Sequence, residues 1–449
     1  MRTTLLILYI LFFFASIGAA TTLPWPNPPD PITWEVVSQS ASEGIVTKTI
    51  YINSIQYKGK TSKIFGYFSF PRKAINLPAI LISHGGGGHA VLSRNISWAN
   101  RGYAVLSIDL PGKGENRSLS KSTGPNMTVS QLLKTMPLDE NYLCHAVAAV
   151  RSSISFLAAQ KEVDPQNIGM IGLSWGGVLT LLTNGVDSRI KTFINVYGSG
   201  HIQEESTWQS LFDKMSEGER QIWDSLIDPK NVLSQQKSEM LFMTGTNDHC
   251  YYLPIFQKSY IESETYKNLM IFPNIKHKFF GEQIKNAWLW FDLKLKGKGE
   301  EFPRIIFKEM RDEGENIALL YKFYGFSELR SARLVFNAGF PSSWTEKIWE
   351  TKRATIEAEE IKALISKAMI NPEILFYTIL ETKTRGQTSS LVQSIFKAEN
   401  SSGNEDYILT TPITQTHLHP GPYICLKKIA NSESKIKYEQ QKKKYIIED

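Results

Sequence analysis

Between residues 33 and 300 the hydrophobic positions fall into two alternating textures. Short apolar runs, GIVTKTIYI, KIFGYFSF, PAILISHG, GYAVLSIDL, NIGMIGLS, KTFINVYG, SEMLFMTG and KNLMIFPN, read as strands. The central runs are apolar at both alternating positions, which a strand needs only when both of its faces are covered. Amphipathic stretches lie between them. Over 140–160, Leu143, Ala146, Val147, Val150, Ile154 and Leu157 share one face at helical spacing. Further helices are expected after Ser174, over 253–263, and along GEQIKNAWLWFDLKLKG. Alternation of this kind implies right-handed crossovers and a mostly parallel sheet with helices on both sides.

The texture changes at about residue 303. RIIFKEM, NIALLYKFY, SARLVFNAG, EILFYTILETK and SLVQSIFK are β-rich, and Gly, Pro, Ser and Asn separate many of them. This pattern predicts a second, mostly antiparallel domain of sandwich type. One segment, EAEEIKALISKAM, has helix-forming composition and breaks the pattern. Residues 201–237 interrupt the strand series of the first domain and read as a cap insertion. The expected organisation is a signal peptide over 1–20, a Pro-rich leader over 21–32, a catalytic domain over 33–302 and a β-rich domain with a charged tail over 303–449.

Composition narrows the choices. At 449 residues and 42% hydrophobic, the chain is long enough for two cores and too apolar to be disordered. Fifty Lys and Arg against 44 Asp and Glu leave a net charge of +6. That is weak for this length, and its densest cluster is the Lys-rich tail, so no nucleic-acid partner is expected. The N-terminus carries Arg2, the apolar run LLILYILFFF and the small residues Gly18-Ala19-Ala20, the three-part pattern of a cleaved signal. No later run reaches the roughly 18 apolar residues of a membrane helix, so a secreted or periplasmic protein without a stable membrane span is expected. The three thiols, Cys144, Cys250 and Cys425, allow at most one disulfide, and spacing does not choose the pair. Asn95, Asn116, Asn126 and Asn400 fit the glycosylation sequon. No oligomeric state is assigned.

The sharpest chemical signal is Gly172-Leu173-Ser174-Trp175-Gly176, followed by Gly177, between an expected strand and an expected helix. This is the setting of a nucleophile elbow: a sharp strand-to-helix turn exposes the serine hydroxyl, and the glycines remove side chains that would collide. The second signal is His84-Gly85-Gly86-Gly87-Gly88, directly after another strand. Attack on an acyl carbon creates an oxyanion that needs amide donors, here expected from Trp175 and from Gly85 and Gly86. The rival reading, a phosphate loop, lacks the Gly-Lys-Ser/Thr ending.

A serine nucleophile needs a base, and the base an orienting acid. Asp248 ends the run MLFMTGTND, and His277 follows the next strand in FPNIKHKFF. Both stand at sheet C-terminal ends, where ligands bind in open α/β sheets. The catalytic set is therefore Ser174, Asp248 and His277. Asp109 precedes the serine and is read as structural, as are His145 and His201. His84 and His89 are read as shaping the glycine loop. His417-Leu-His419 has metal-like spacing without acidic company, and neither a metal nor another cofactor is expected. Trp208, Trp223 and Tyr251 are candidates for a substrate rim.

HGGGG, RGYAVLSIDLPGKGE, DPQNIGMIGLSWGG, GTNDHCY and PNIKHKFF, in that order, resemble the α/β-hydrolase fold. Within it the chain is similar to acetyl xylan esterase and dienelactone-hydrolase-like proteins, which neighbour the prolyl oligopeptidase family. The resemblance covers about residues 45–300. It implies an α/β-hydrolase domain, joined here to the sandwich-like domain, and a serine hydrolase acting on a small-molecule or carbohydrate ester. It also implies that the GTND aspartate, Asp248, is the acid and His277 the base. Lys278-Phe279-Phe280 departs from the small residue or second histidine that relatives often show there, which bears on substrate preference. A prolyl-oligopeptidase-like peptidase is the alternative, although only a short segment precedes HGGGG. A non-catalytic binding protein on the same scaffold is the third reading.

Overall fold

The computed structural model describes residues 25–409 apart from 114–118, 129–136, 326–327, 339–342, 359, 372, 385 and 400–404, together with 412 and 435–436. The expected signal segment, Cys425, His417, His419 and most of the charged tail lie outside the described residues.

The first sheet contains β1 (Trp34–Ser42), β2 (Ile45–Tyr57), β3 (Lys60–Pro71), β4 (Leu77–Ser83), β5 (Ala104–Ile108), β6 (Val163–Leu173), β7 (Thr192–Val196), β8 (Glu239–Gly245) and β9 (Lys267–Phe272). Their spatial order is β1-β2-β3-β5-β4-β6-β7-β8-β9. The first three strands form an antiparallel meander, β3 pairs antiparallel with β5, and the strands from β5 to β9 run parallel. Each apolar run expected as a strand is one. β1 is the addition. It is exposed along its whole length, so it carries no burial pattern from which to be read.

Strands β5 and β7 are buried at every position, as doubly covered strands must be. Four helices cover them: α1 (Leu92–Ala99), α2 (Tyr142–Ala158), α3 (Trp175–Val186) and α7 (Gly281–Lys296). Helices α2 and α3 pack on each other. Helices α1 and α7 meet through Trp98, whose ring lies against Trp288 and Phe291, and through the Arg101–Asp292 ion pair. Helix α2 starts where Asn141 accepts a hydrogen bond from the Cys144 amide at 3.0 Å, a side-chain N-cap. Its Arg151 donates to the carbonyls of Trp25 and Pro26 and to Asn27, so the Pro-rich segment lies along the helix.

Between β7 and β8 the 201–237 insertion forms α4 (Gln209–Phe212), α5 (Glu217–Ile222) and two further helical turns, and α6 (Leu253–Glu262) follows β8. Asn95, one of the sequons, is fully buried and its amide donates to the carbonyls of Tyr67 and Val105, so folded protein cannot carry a glycan there.

The second sheet is antiparallel: β10 (Arg304–Glu313), β11 (Asn316–Tyr324), β12 (Leu329–Ala338), β13 (Glu350–Glu357), β14 (Glu360–Ser366), β15 (Glu373–Thr382), β16 (Gln387–Ser389), β17 (Gln393–Glu399) and β18 (Glu405–Leu409), with Lys435–Ile436 beside β10. Strand β13 pairs with both β12 and β14, so the sheet curls continuously and closes over Leu319, Leu334, Ile361, Phe376 and Ile395. The helix-like composition of EAEEIKALISKAM was misleading. Glu360–Ser366 is a strand with Ile361, Ala363 and Ile365 alternately buried, because that period of two meets the core and a helical period does not.

Strand β9 would leave an open edge, and β16 covers it. The Ile271 amide donates to Ser389 Oγ at 3.0 Å, and Thr388 Oγ1 donates to the Asn268 side chain at 2.6 Å. Trp344, Trp349, Tyr377, Ile379 and Val392 of the C-terminal region, together with Phe302 at the junction, belong to the same apolar cluster as the central strands. A shared core should unfold as one unit. Phe302→Ala, which removes a ring packed on Trp290, is expected to cost about 3–5 kcal/mol within a single denaturant transition followed by both tryptophan fluorescence and far-UV circular dichroism. Two separated transitions would contradict the shared core.

Candidate active site

The strand-to-helix turn after β6 holds Ser174 at φ 58° and ψ −118°, a backbone conformation that β-branched and bulky residues avoid. The turn closes because nothing projects from its glycines. A Cβ on Gly172 would stand 1.9 Å from the Gly176 carbonyl oxygen, one on Gly176 2.3 Å from that of Ser83, and one on Gly177 2.6 Å from the Asn195 side chain. The elbow is thus pressed against β4 and β7 at once. The Ser174 amide donates to the Val196 carbonyl at 2.8 Å, which fixes the turn to the sheet. Trp175 is the first residue of α3, where backbone amides have no intrahelical acceptor.

The glycine loop lies on the other side of the serine. A Cβ on Gly85 would approach Ser174 Cβ to 2.9 Å, and one on Gly86 would approach the Trp175 ring to 3.1 Å. The loop passes close to the nucleophile because neither position has a side chain. His84 shapes it: Nδ1 donates to the Gly85 carbonyl at 2.7 Å, and Nε2 accepts from the Leu110 amide at 2.9 Å. Asp109 is likewise engaged, accepting from the amides of Ala90 and Lys121.

Asp248 is fully buried just beyond β8. Its Oδ1 accepts from His277 Nδ1 at 2.9 Å and from the Cys250 amide at 2.8 Å, while Oδ2 has no hydrogen-bond partner among the described residues. Since a carboxylate only accepts, the His277 proton sits on Nδ1 and Nε2 is left as an acceptor. His277 lies against Tyr197, ring centroids 4.7 Å apart, and near Tyr251 at 6.2 Å. Burial first, then the nearby Cys250 and Asp248, push the Tyr251 hydroxyl well above the usual phenol range, and Ser174 pulls the other way. The Tyr251 ring also lies 6.1 Å from that of Trp175, the residue after the serine. Ser174 and the Asp248–His277 pair flank one tyrosine.

Tyr251 is completely buried, so it does not form an exposed rim. Trp208 joins it there, with ring centroids 5.0 Å from both Trp175 and Tyr251. The insertion reaches the acid loop through a bridge between Ser206 and Tyr251 and a 3.1 Å bond from the Thr207 amide to the Cys250 carbonyl. Trp223 stands elsewhere. It is fully buried within the insertion, packed on Phe212 and donating to Asp228 at 3.2 Å, because the insertion needs an apolar centre of its own.

Among the described residues Cys144 and Cys250 carry no disulfide. Donor atoms of Asp248, Cys250 and His277 lie within 4.8 Å of one another, which makes them the group among the described residues that could hold a metal ion. Burial and the Asp248 charge push the Cys250 thiol up to about 12, so it stays protonated, and His277 Nδ1 is already committed to Asp248.

Sequence reasoning missed Tyr197, Asn247 and Asn274. The Tyr197 hydroxyl donates to the Lys278 carbonyl at 2.7 Å and accepts from Gln283 at 2.9 Å, holding the loop that carries His277. Its own backbone sits at φ 69° at the end of β7, a position with no motif to announce it. His201, at the start of the insertion, is buried between Glu204 (2.8 Å) and Glu262 (2.6 Å). Burial opposes its charge, but the two carboxylates outweigh it and raise the imidazolium to about 9.

The model of the acetyl xylan esterase (AXE1) family matches residues 40–295. Over 183 residues the chain is 25% identical to YtaP of Bacillus subtilis (strain 168), described as a hydrolase, covering 37% of this chain and 57% of that protein. Over 144 residues it is 27% identical to the acetyl esterase Axe7A of Xylanibacter ruminicola, covering 28% of this chain and 30% of that one. The chain thus spans less than two thirds of the length of these relatives. Among solved structures, the acetyl xylan esterases of Paenibacillus sp. R4 and Thermoanaerobacterium sp. JW/SL YS485 each superpose with a TM-score of 0.50 at 18% identity over 60% of this chain, covering 90% and 89% of theirs. At that identity they show the α/β-hydrolase fold.

The His201 cluster makes stability depend on pH. A folded value of about 9 exceeds the unfolded value of about 6.5, so the contribution is complete below pH 6.5 and is lost as pH rises through 9, up to about 3 kcal/mol. Denaturant midpoints of the wild type are expected to fall over this window, and those of His201→Gln to stay nearly flat. Parallel slopes would show that the cluster carries no such linkage.

Proposed function

Because the chain belongs to the acetyl xylan esterase (AXE1) family, we propose that it is an exported carboxylic ester hydrolase of the serine type, acting on acetyl esters such as those of acetylated polysaccharide. The observation that supports this reading is the partly buried Asp248–His277 hydrogen bond at 2.9 Å, linked to the elbow by Tyr251, whose ring centroid lies 6.2 Å from that of His277 and 6.1 Å from that of Trp175. Export is supported by the Arg2-led apolar run followed by small residues.

In this mechanism Ser174 Oγ attacks the ester carbonyl while His277 Nε2 takes its proton. Asp248 holds the Nδ1–H and stabilises the imidazolium that forms. The developing oxyanion is met by the amides of Trp175 and of Gly85 or Gly86, which need no reorganisation because the elbow and the loop are already locked. His277 then passes the proton to the departing alcohol oxygen, leaving an acyl group on Ser174. A water molecule, deprotonated by His277, attacks that acyl group and releases the carboxylic acid and the serine. Tyr251 is held neutral throughout, by burial first and then by Cys250 and Asp248. Trp175, Trp208 and Tyr251 pack on one another directly beside the elbow, and this crowding supports a short acyl group.

A peptidase on the same scaffold would hydrolyse dipeptide amides in preference to esters, and a scaffold without catalysis would hydrolyse neither. On p-nitrophenyl esters of increasing chain length, the rate is expected to fall steeply beyond acetyl, with acetyl xylan also deacetylated. A fluorophosphonate probe is expected to label the wild type and not Ser174→Ala, and Asp248→Asn is expected to lose about 10³–10⁴ in kcat. Full activity in Ser174→Ala would remove the serine from the mechanism.

A further inference from the structure

The family match ends at residue 295, and the role of the C-terminal sheet is not part of it. The contacts between that sheet and the two loops bearing Asp248 and His277 are specific. Asn247, next to the acid, is buried, and its amide donates to the Lys347 carbonyl at 2.7 Å and to the Thr345 carbonyl at 3.1 Å. Asn274, three residues before the base, makes a two-bond clamp with Trp349. Its amide donates to the Trp349 carbonyl at 2.8 Å, and its carbonyl oxygen accepts from the Trp349 amide at 2.8 Å. The two loops are also tied to each other. The Asn247 backbone amide donates to the Ile275 carbonyl at 3.0 Å, and the Asn274 backbone amide to Thr246 Oγ1 at 2.8 Å.

The segment that reaches in, residues 343–349, is itself anchored. Asn337 of β12 donates to the Ile348 carbonyl at 2.8 Å. Trp344 and Trp349 stack at 6.5 Å, Trp349 packs on Tyr377, and the Lys347 ammonium lies 5.0 Å from the Trp344 ring centre. One anchored segment thus grips both loops by backbone-directed bonds, where simple packing would need only apolar surface. Directional bonds to a common anchor fix the separation of the acid and the base, a quantity that catalysis reads steeply.

We propose that the 343–349 segment of the C-terminal sheet is a positioning element for the catalytic pair, acting through Asn247 on Asp248 and through Asn274 on His277. The proposal rests on the acid–base assignment made above. Neither asparagine touches the reacting atoms, so both are positioning residues.

The test uses the full chain with Asn247→Ala, Asn274→Ala and Asn274→Asp, alongside His277→Ala. The readouts are kcat and KM on p-nitrophenyl acetate, thermal unfolding, and the downfield proton resonance of the His277 Nδ1–H held by Asp248. The alanine variants are expected to lose about 10- to 100-fold in kcat with KM within about twofold, to remain folded at assay temperature, and to broaden or shift the Nδ1–H resonance. Asn274→Asp keeps the acceptor for the Trp349 amide and is expected to lie between wild type and alanine. Should Asn247→Ala fail to fold, the Asn274 pair decides alone. Folded variants with kcat within twofold of wild type and an unchanged resonance would overturn the proposal, as would loss of activity tracking only the unfolded fraction. Wild-type activity in His277→Ala would instead refute the acid–base assignment itself.

Discussion

Three chain segments converge on Ser174 with no room to spare, and that crowding governs the rest of the site. The serine occupies a positive-φ turn because β6 must reverse into α3 within one residue. Gly172, Gly176 and Gly177 let the turn press on its own backbone, on β4 and on β7, and Gly85 lets the glycine loop touch the serine from the opposite side. A backbone conformation of this kind is costly and persists only when its surroundings over-determine it. Here the surroundings are buried parallel strands on both sides, so the cost is carried by the core of the sheet. The hydroxyl is thereby presented at the end of α3, with free amides already in place.

The acid and the base face the opposite problem. They stand on loops, which are the mobile parts of such a sheet. Asp248 is buried with one oxygen unpartnered among the described residues, an arrangement that tolerates little displacement. The structure answers with side-chain-to-backbone bonds from several directions. Tyr197 holds the His277 loop from β7, while Asn247 and Asn274 join the two loops to the second sheet. The same sheet shields the β9 edge through Ser389 and Thr388. One interface therefore covers an open strand edge and braces the catalytic loops.

The order of strands and helices was legible because buried strands and amphipathic helices carry distinct periods. Ser174, Asp248 and His277 could be picked out because each falls at a strand end in a fixed chain order, and the structure joins the latter two by a direct bond. The exposed β1 carries no period to read. EAEEIKALISKAM was misjudged because its composition favours helix while its alternation, Ile361, Ala363 and Ile365, favours strand, and packing decides between them. Trp223 was grouped with Trp208 because both lie in the cap insertion, yet one fills the centre of the insertion and the other reaches Tyr251. Tyr197 stood in no motif, and although Asn247 and Asn274 lie inside GTNDHCY and PNIKHKFF, nothing in those motifs announced their anchoring bonds, since the partners of the three lie 81, 100 and 75 residues away.

The covalent intermediate is the most direct test of the chemistry. The enzyme would be mixed with an activated acetate ester, quenched with acid during the first turnovers, digested and mapped by mass spectrometry. Serine catalysis predicts an acetyl group on the peptide containing Ser174 and on no other, appearing within the first turnover and vanishing as substrate is exhausted. Rapid ester hydrolysis with no acetyl on Ser174, or acetyl accumulating on a different residue, would contradict it.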